Sequence, residues 1–242
     1  MTSTQQTPVI AVIPAAGSGT RLQPALGQPK QFALLSGTPV LTHTLQVFQR
    51  CESIDGIVIS THQDYIDRIQ QDIIRPYGIS KVVKVIPGGE TRQDSVRNGL
   101  DAVEEVCPEI AVVHDAARPF VTPEIITASV ETAREFGGCI VGIPVVDTIK
   151  QVSEHRIKCT VDRSKLWAAQ TPQTFQYNLL LRAFDEANQS GFQGTDEAML
   201  VERLGESVRI IEGSGRNMKI TTPEDFAMAE ALMTQSKTSE PA

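Results

Sequence analysis

A glycine-rich turn that directly follows an apolar run constrains the fold of this chain more than any other feature. Residues 9–13 are all apolar, and residues 14–22 read Pro-Ala-Ala-Gly-Ser-Gly-Thr-Arg-Leu. The apolar run predicts a buried strand, and the small residues after it allow the backbone to turn tightly against a ligand. The amide groups of Ala15, Ala16 and Gly17 can then approach phosphate oxygens closely. The apolar run and the glycine-rich turn together predict a strand that ends at an anion-binding site.

Two cations accompany this turn and narrow the class of site. Arg21 lies at the end of the turn, and Lys30 belongs to a Pro-Lys-Gln motif at residues 29–31. A P-loop requires a Gly-Lys pair, which the chain lacks, and a dinucleotide-binding turn requires a third glycine where Leu22 stands. A purely structural glycine turn is the alternative, but turning requires neither cation. The loop therefore predicts a site for nucleotide phosphates.

Strand-like runs alternate with helical patterns up to residue 144. Strands are predicted at 9–13, 56–60, 81–86, 110–114 and 139–144, and helices at 40–49, 65–75, 93–106 and 123–136. This alternation predicts an α/β, Rossmann-like fold, with a mostly parallel twisted sheet and helices on both of its faces. Because ligands bind at the carboxyl ends of parallel strands, the loops that carry Gly17, Gly89 and Asp115 should converge on one site.

The alternation breaks after residue 144. Residues 145–151 and 156–161 predict two short strands around a polar turn, a hairpin that projects as an arm. Further helices are predicted at 177–189 and 196–204, closing strands at 208–211 and 218–221, and a final helix from 222 towards 233. We expect one domain over residues 1–242, with a dimerisation arm at about 145–170 and a loose tail from about 235. A projecting hairpin needs a surface to pack on, so we expect a homodimer.

Composition excludes several classes of function. The formal net charge of −7 over 242 residues argues against binding nucleic acid through a broad basic surface. The longest apolar runs fall well short of the ~20 residues that span a bilayer, and the polar first residues are unlike a secretory or transit leader. The four cysteines form no Cys-x-x-Cys pair, as expected for free thiols in a reducing compartment. We expect a cytoplasmic protein without nucleic-acid or membrane partners.

A second charged motif follows the strand predicted at 110–114. Residues 114–119 read His-Asp-Ala-Ala-Arg-Pro. Asp115 offers hard oxygen ligands of the kind that suit Mg²⁺ on phosphates, and Arg118 offers a planar fork for a phosphate or a hydroxyl-rich substrate. The alternative is a turn in which Asp115 caps the next helix and pairs with Arg118. His114 is interpreted as a packing residue, because a lone histidine is a weak metal signal.

Taken together, the motifs resemble one enzyme family over about residues 9–233. They occur in the order seen in the 2-C-methyl-D-erythritol 4-phosphate cytidylyltransferases of the non-mevalonate isoprenoid pathway. The resemblance implies a Rossmann-like sheet whose arm hooks a second subunit. The motifs that carry it lie at residues 14–21, 29–31, 88–96, 114–119, 147–150, 160–163, 170–173, 195–197 and 218–219.

The resemblance implies a role for each matching residue. Arg21 and Lys30 stabilise the transition state on the CTP phosphates, Arg163 and Lys219 hold the methylerythritol phosphate, and Asp115 is a Mg²⁺ carboxylate. The implied CTP contacts are Ala15, Ala16, Gly17, Gly89, Glu90 and Ser95. The implied substrate-pocket residues are Thr148, Thr171 and Thr195, with Thr148 and Arg118 lent by the neighbouring subunit. Two positions depart from the family pattern: Glu90 stands where many relatives have Asp, and Arg216 stands where some have Asp.

The implied reaction is cytidylyl transfer from CTP to a polyol phosphate, with release of pyrophosphate. The nucleophile is the substrate's own phosphate, whose second ionisation (pKa about 6) is largely complete at neutral pH, so no catalytic base is required. Fixed cations, Mg²⁺ and backbone amides would stabilise the developing charge. Two alternatives stay open. One is a cytidylyltransferase for ribitol 5-phosphate or another polyol phosphate, and the other is a non-catalytic nucleotide-binding module.

Overall fold

The computed structural model describes residues 7–17 and 27–238. Eleven strands lie within these ranges: β1 (Val9–Pro14), β2 (Leu34–Leu35), β3 (Thr38–Pro39), β4 (Gly56–Thr61), β5 (Val82–Pro87), β6 (Ile110–Val113), β7 (Gly138–Pro144), β8 (Ile149–Ser153), β9 (Arg156–Val161), β10 (Trp167–Gln176) and β11 (Arg209–Glu212). The α-helices are α1 (Val40–Arg50), α2 (Ile66–Ile69), α3 (Arg92–Asp101), α4 (Pro123–Phe136), α5 (Tyr177–Ser190), α6 (Glu197–Arg203) and α7 (Pro223–Thr238). A π-helical turn, Gln70–Ile74, extends α2.

Seven strands form the central sheet, in the order β11-β7-β10-β6-β1-β4-β5. The pairs β11·β7, β6·β1, β1·β4 and β4·β5 are parallel, whereas β10 runs antiparallel to both of its neighbours. The α/β fold with a mostly parallel sheet is therefore confirmed.

Helices cover both faces of this sheet, because both faces of its central strands are apolar. Along β1, Val9, Ala11 and Ile13 pack into the core beneath α1 and α4. Ile10 and Val12 point the other way and pack with residues of α3, α5 and α6. A strand buried on both faces reads as an unbroken apolar run rather than an alternating one, and this pattern is what residues 9–13 show.

Prediction and structure differ at three elements. Strand β10 was not predicted, and a proline inside a polar run is unusual in a central strand. The structure accommodates Pro172 where the pairing of β10 with β7 shifts register between Ala169 and Gln173. The strand predicted at 218–221 was wrong: these residues are irregular, and the Ile220 N–H donates to the Ala117 carbonyl (2.9 Å). Helix α7 ends at Thr238, beyond the predicted start of the loose tail.

The predicted hairpin is present. Strands β8 and β9 pair antiparallel around a tight turn at Glu154 and His155, which both have positive φ angles (49° and 60°), as a primed turn requires. Strand β10 re-enters the sheet at Trp167, opposite Pro144, so the projecting segment ends earlier than expected. We call residues 145–166 the hairpin arm.

Across the described ranges, every helix is too short or too polar to cross a bilayer. All four cysteines carry free thiols; Cys51 and Cys139 are buried, whereas Cys107 and Cys159 are exposed.

Candidate active site

A pocket lies at the carboxyl ends of β1, β5 and β6, the edge of the sheet where the sequence placed the site. The loops after these three strands supply most of its wall, and residues 30–31 and 219 complete the described part. The lining residues are Pro14, Ala15, Ala16, Gly17, Lys30, Gln31, Gly89, Glu90, Thr91, Arg92, Ser95, Asp115, Ala116, Ala117 and Lys219. The predicted convergence of the Gly17, Gly89 and Asp115 loops is therefore correct.

The turn after β1 is held by backbone contacts. The Ala15 N–H donates to the Ser60 carbonyl of β4 (2.7 Å), and the Gln31 side-chain amide donates to the Ala15 carbonyl (3.1 Å). The amide of Ala15 is therefore engaged within the fold, which corrects the expectation that it faces phosphate. Ala16 and Gly17 line the pocket as expected. Arg21 lies outside the described residues.

The second loop requires glycine because its backbone lies against α3. A Cβ on Gly89 would stand 2.2 Å from the Asp94 Cβ, and one on Gly88 would stand 2.6 Å from the Ala16 Cβ. The Ser95 hydroxyl accepts from the Gly89 N–H (3.1 Å) and donates to the Thr91 carbonyl (2.9 Å). Ser95, predicted to bind CTP, thus shapes the loop that carries Gly89 and Glu90.

The loop leads directly into the N-terminus of α3, which opens towards the pocket. Thr91 caps the helix by accepting from the Asp94 N–H, and the Asp94 carboxylate accepts in return from the Thr91 N–H. The first turn of a helix presents unpaired amides and a partial positive charge. This wall of the pocket is suited to an anionic ligand.

A network of ionic side chains occupies one side of the pocket. The Asp115 carboxylate contacts three cations: Arg92 (Nε–Oδ1 3.1 Å), Lys219 (Nζ–Oδ2 2.8 Å) and Arg118 (Nε–Oδ2 3.5 Å). Arg92 also makes a two-pronged contact with the carboxylate of Glu197, at 2.7 and 3.1 Å. We call these five residues the Asp115 network. Three cations face two carboxylates, which leaves the network with a net positive charge beside the pocket.

Burial and charge act in opposite directions on Asp115. Burial alone raises the pKa of its carboxyl, but the positive charges of Arg92, Lys219 and Arg118 outweigh burial and hold that pKa well below its usual range. For Arg92, burial lowers the pKa of the guanidinium, but the negative charges of Glu197 and Asp115 raise it by more. The pKa of Arg92 therefore lies above its usual value. Asp115 and Arg92 are therefore both ionised near neutral pH.

A neutral histidine supports the network from below. His114 is fully buried, and burial lowers its pKa from 6.5 to about 4. The Thr171 hydroxyl accepts from the Asp115 N–H (3.1 Å) and lies 3.0 Å from His114 Nδ1, while His114 Nε2 lies 3.1 Å from the Arg118 carbonyl. These distances fit a neutral ring that accepts from Thr171 and donates to the Arg118 carbonyl. Thr171, predicted to bind substrate, lies beneath the pocket and fixes the turn that carries Asp115.

Arg118 belongs to the Asp115 network of its own chain. Its side chain is largely buried, and its Nη1 donates to the Asn217 carbonyl (2.7 Å) in addition to its contact with Asp115. The role of Arg118 at a neighbouring subunit's site stays a prediction. Asn217 in turn donates to the Thr171 carbonyl (2.8 Å), so β10 and residues 217–219 are tied together beneath Lys219.

Lys30 and Lys219 reach the pocket from opposite ends of the chain. The Lys30 ammonium donates to the Ile220 carbonyl (3.2 Å), and the Lys219 ammonium contacts Asp115. Both side chains line the pocket. The structure thus brings together two of the four residues predicted to be catalytic, together with the predicted metal carboxylate.

Three predicted substrate residues lie elsewhere. Thr148 and Arg163 are exposed on the hairpin arm, where Arg163 donates to the Val146 carbonyl. Thr195 is exposed ahead of α6, with its hydroxyl 3.7 Å from the Met199 sulphur. Arg216, noted as a departure from the family pattern, is also exposed. None of these four residues lines the described wall of the pocket.

Sequence analysis gave no role to Arg92 or Glu197. Arg92 lies within a Thr-x-x-Asp capping pattern at residues 91–94, which marks the start of a helix at a pocket edge. Glu197 shares the buried face of α6 with Leu200 and Val201, at i+3 and i+4. A carboxylate on the apolar face of a helix signals a buried partner, and this signal was available in the sequence.

The donor set for a divalent cation is small. Residues 7–17 and 27–238 contain no group of three or more His, Cys, Asp and Glu side chains placed to hold a metal ion. Asp115 is the carboxylate at the centre of the charged side of the pocket, and both of its oxygens already contact cations. Mg²⁺ commonly binds through one or two carboxylates together with substrate phosphates. Asp115 therefore fits an ion that arrives with a polyphosphate.

Comparisons with known proteins identify one enzyme family. A family model described as IspD: 2-C-methyl-D-erythritol 4-phosphate cytidylyltransferase matches residues 9–235. The chain is 45% identical over 227 residues to the 2-C-methyl-D-erythritol 4-phosphate cytidylyltransferase of Geobacter metallireducens, covering 93% of this chain and 97% of that protein. It is 44% identical over 229 residues to the same enzyme of Clostridioides difficile, covering 95% of each.

Solved structures give the same match. The chain superposes on 4-diphosphocytidyl-2C-methyl-D-erythritol synthase from Anaerococcus prevotii with a TM-score of 0.82, at 30% identity, covering 94% of this chain and 96% of that one. It superposes on the 2-C-methyl-D-erythritol 4-phosphate cytidylyltransferase of Francisella tularensis with a TM-score of 0.78, at 32% identity. That alignment covers 93% of this chain and 99% of the other.

Proposed function

The chain belongs to the 2-C-methyl-D-erythritol 4-phosphate cytidylyltransferase family, and we propose that the pocket at the ends of β1, β5 and β6 is where it transfers a cytidylyl group from CTP to that substrate. The observation that carries the assignment to this pocket is the meeting of Lys30, Lys219 and Asp115, three residues that match family motifs far apart in sequence. Pyrophosphate is the second product, and the reaction belongs to non-mevalonate isoprenoid precursor synthesis.

The pocket is built for electrostatic catalysis. The substrate's phosphate is already ionised, so the protein has to bring two polyanions together and stabilise charge on the α-phosphate and the departing pyrophosphate. The α3 N-terminus and the Gly89 loop face the triphosphate in this proposal. Lys30 stabilises the developing charge, with Arg21 assigned beside it by the family motif. Lys219 holds the attacking phosphate near Asp115.

We propose Mg²⁺ as the cofactor, held by Asp115 together with the CTP phosphates. When bound, the ion neutralises charge on the triphosphate. The Asp115 network has a net positive charge, and its lysine is accessible to water (Lys219 side chain 39% exposed). A complex of the metal ion with an anion can therefore displace one cation from the Asp115 carboxylate. A single protein carboxylate implies weak affinity for Mg²⁺ in the absence of CTP.

We propose that the protein acts as a homodimer through its hairpin arm. Val146 is 77% exposed and Ile157 is 65% exposed on this arm, which is unusual for apolar side chains on a short hairpin. Thr148 and Arg163 lie outside the described wall of their own pocket, and a partner's pocket would give them a role. Light scattering of the wild type and of Ile157→Ser tests the dimer. An active wild-type monomer at micromolar concentration would contradict it.

We propose the cytoplasm as the compartment. The support is chemical: two of the four free thiols, those of Cys107 and Cys159, are exposed, and exposed thiols persist in reducing surroundings.

One assay tests the reaction against its rivals. The purified protein is incubated with CTP, Mg²⁺ and either 2-C-methyl-D-erythritol 4-phosphate or ribitol 5-phosphate, and pyrophosphate release is followed. We expect turnover with the methylerythritol substrate and a much smaller kcat/KM with ribitol 5-phosphate. A preference for ribitol 5-phosphate would assign the substrate differently. CTP binding without turnover of either substrate would identify a non-catalytic binding module.

A further inference from the structure

Glu197 is a charged residue in a place where charge is costly. Its side chain is 1% exposed, and its neighbours on the same face of α6, Leu200 and Val201, belong to the apolar core. An ionised carboxylate at this depth needs a charged partner with good hydrogen-bond geometry. Arg92 supplies it through Nη1 and Nη2, at 2.7 and 3.1 Å. Glu197 does not line the pocket.

Arg92 connects this buried carboxylate to the pocket. The guanidinium is a rigid plane, so fixing two of its nitrogens on Glu197 also fixes the direction of the third. That third nitrogen, Nε, donates to Asp115 Oδ1 (3.1 Å). Asp115 then offers its other oxygen, Oδ2, to the Lys219 ammonium at 2.8 Å. A continuous chain of ionic contacts thus runs from α6 through α3 to Lys219.

Stability alone explains this arrangement poorly. A buried ion pair is often no more stabilising than apolar side chains of the same volume, because both charges lose their water. The apolar surroundings of Glu197 would accept such a replacement. The pair does, however, hold the Asp115 carboxylate in one orientation, and catalysis by fixed charges depends on orientation.

We infer that Glu197 is a positioning residue of the cytidylyl transfer. It acts through Arg92 to fix the Asp115 carboxylate, and through that carboxylate the Lys219 ammonium. Glu197 touches no substrate in this inference, which rests on the proposed function of the pocket. The inference extends the working site from the pocket wall to the buried face of α6.

The experiment compares Glu197→Gln with a matched control, Glu109→Gln. Glu109 also pairs with an arginine (Arg134, 3.0 Å), but it lies at the amino end of β6, whereas the pocket lies at the carboxyl end of that strand. We expect Glu197→Gln to lower kcat with the methylerythritol substrate by about tenfold or more, through loss of preorganised charge, while the KM for CTP stays within about twofold. Glu109→Gln should leave both values unchanged. A folded Glu197→Gln protein with wild-type kcat would overturn the inference.

A double variant separates positioning from folding. Replacing the pair together, as Arg92→Met with Glu197→Leu, removes both buried charges and is expected to fold, as buried ion pairs replaced by apolar residues generally do. Because Glu197 acts through Arg92, the double variant should match the slower of the folded single variants within about twofold rather than multiply their effects. A folded double variant with wild-type kcat, or with multiplied losses, would contradict the inference.

The proposed function fails in a different way. If the wild type releases no pyrophosphate with either polyol phosphate, the reaction is wrongly assigned. If the wild type is active and the Glu197 variants match it, the reaction stands and the positioning role is wrong.

Discussion

The Asp115 network and the hairpin arm both carry charged residues that match functional positions of the family. These residues are paired and mostly buried in the network, but exposed on the arm. In the network, each described carboxylate and guanidinium has a partner within 3.5 Å, and Glu197 is almost completely buried. On the arm, Thr148 and Arg163 are exposed, together with apolar side chains such as Ile157. The network is complete within one chain, whereas the arm presents side chains with no described pocket beside them.

This difference separates two kinds of functional residue. Burial and mutual pairing fix the geometry of the network before any ligand binds, which is the condition for electrostatic catalysis. A hairpin that stands away from the sheet has little to hold its side chains in place, so it gains a defined geometry when it packs against another surface. We therefore expect substitutions in the network to change the chemical step within each subunit. We expect substitutions on the arm to act across subunits.

Replacing Lys30 tests the pocket side of the comparison and should give the largest effect. Lys30→Ala removes a cation that acts mainly on charge developing in the transition state, so kcat should fall by about a hundredfold, or on the order of 3 kcal/mol. Lys84→Ala is the matched control, since that ammonium also donates to a backbone carbonyl, that of Ala102, but away from the pocket lining. Steady-state kinetics decide the matter, and a Lys30→Ala rate within about threefold of wild type would remove Lys30 from the catalytic machinery.

Arg163→Met tests the arm side. Loss of a charge-assisted contact to the polyol phosphate should lower kcat/KM for that substrate by about tenfold to a hundredfold, while calorimetric CTP affinity stays nearly unchanged. If CTP binding is lost and the KM for the polyol phosphate is normal, the residues assigned to CTP and to the polyol phosphate are assigned the wrong way round.

A mixture of two variants with low activity, Lys30→Ala and Arg163→Met, tests whether the arm acts across subunits. In a dimer of one Lys30→Ala and one Arg163→Met chain, one site combines both defects and the other has neither. Refolded or exchanged mixtures should therefore regain about a quarter of wild-type activity, because half of the random dimers contain one intact site. A mixture no more active than its components would show that each arm serves its own chain.

The buried histidine predicts a pH dependence that the arm should not share. The pKa of His114 falls from 6.5 in the unfolded chain to about 4 in the folded protein because the ring is buried. As pH falls, the unfolded state therefore binds a proton on this histidine before the folded state does. The contribution of His114 to stability is complete above pH 6.5 and is lost as pH falls towards 4. Between pH 7 and pH 5 the free energy of unfolding should drop by about 2 kcal/mol from this group.

Denaturant unfolding without added metal measures this drop. His155→Asn, on the exposed turn of the arm, should reproduce the wild-type slope, since Asn tolerates the positive φ of that position. His114→Gln should flatten it. Equal slopes in wild type and His114→Gln would show that His114 is not the titrating group.

Chelation should give the smallest effect on the protein itself. Because the described residues contain no cluster of metal-binding side chains, EDTA should leave Tm unchanged while activity is lost. Mg²⁺ together with CTP should raise Tm, whereas Mg²⁺ alone should not. A clear rise with Mg²⁺ alone would reveal a preformed metal site that the Asp115 network does not suggest.

Local sequence patterns predicted the parts of the fold that depend on local rules. The apolar residues 9–13 predicted a buried strand, and the small residues after it allowed a tight turn at the strand's end. Parallel strands then placed the loops of Gly17, Gly89 and Asp115 at one edge, which the structure confirms. The turn at Glu154 and His155 likewise followed from a polar break between two strand patterns.

Tertiary contacts decided the remainder. Strand β10 was not predicted, and its two neighbours and a register shift accommodate Pro172 in the sheet. Thr171 and Ser95 matched positions expected at the ligand, and in the structure their hydroxyls hold the loops that form the pocket.

The Glu197–Arg92 contact shows why the sequence could not specify everything. Its two residues are 105 positions apart, and each one alone is a common charged residue at the start of a helix. The sequence determined where helices, strands and turns form, because those depend on neighbouring residues and on the period of apolar side chains. Only the folded chain decided which charges meet, because partner choice depends on burial, and burial exists only once the sheet and its helices have packed.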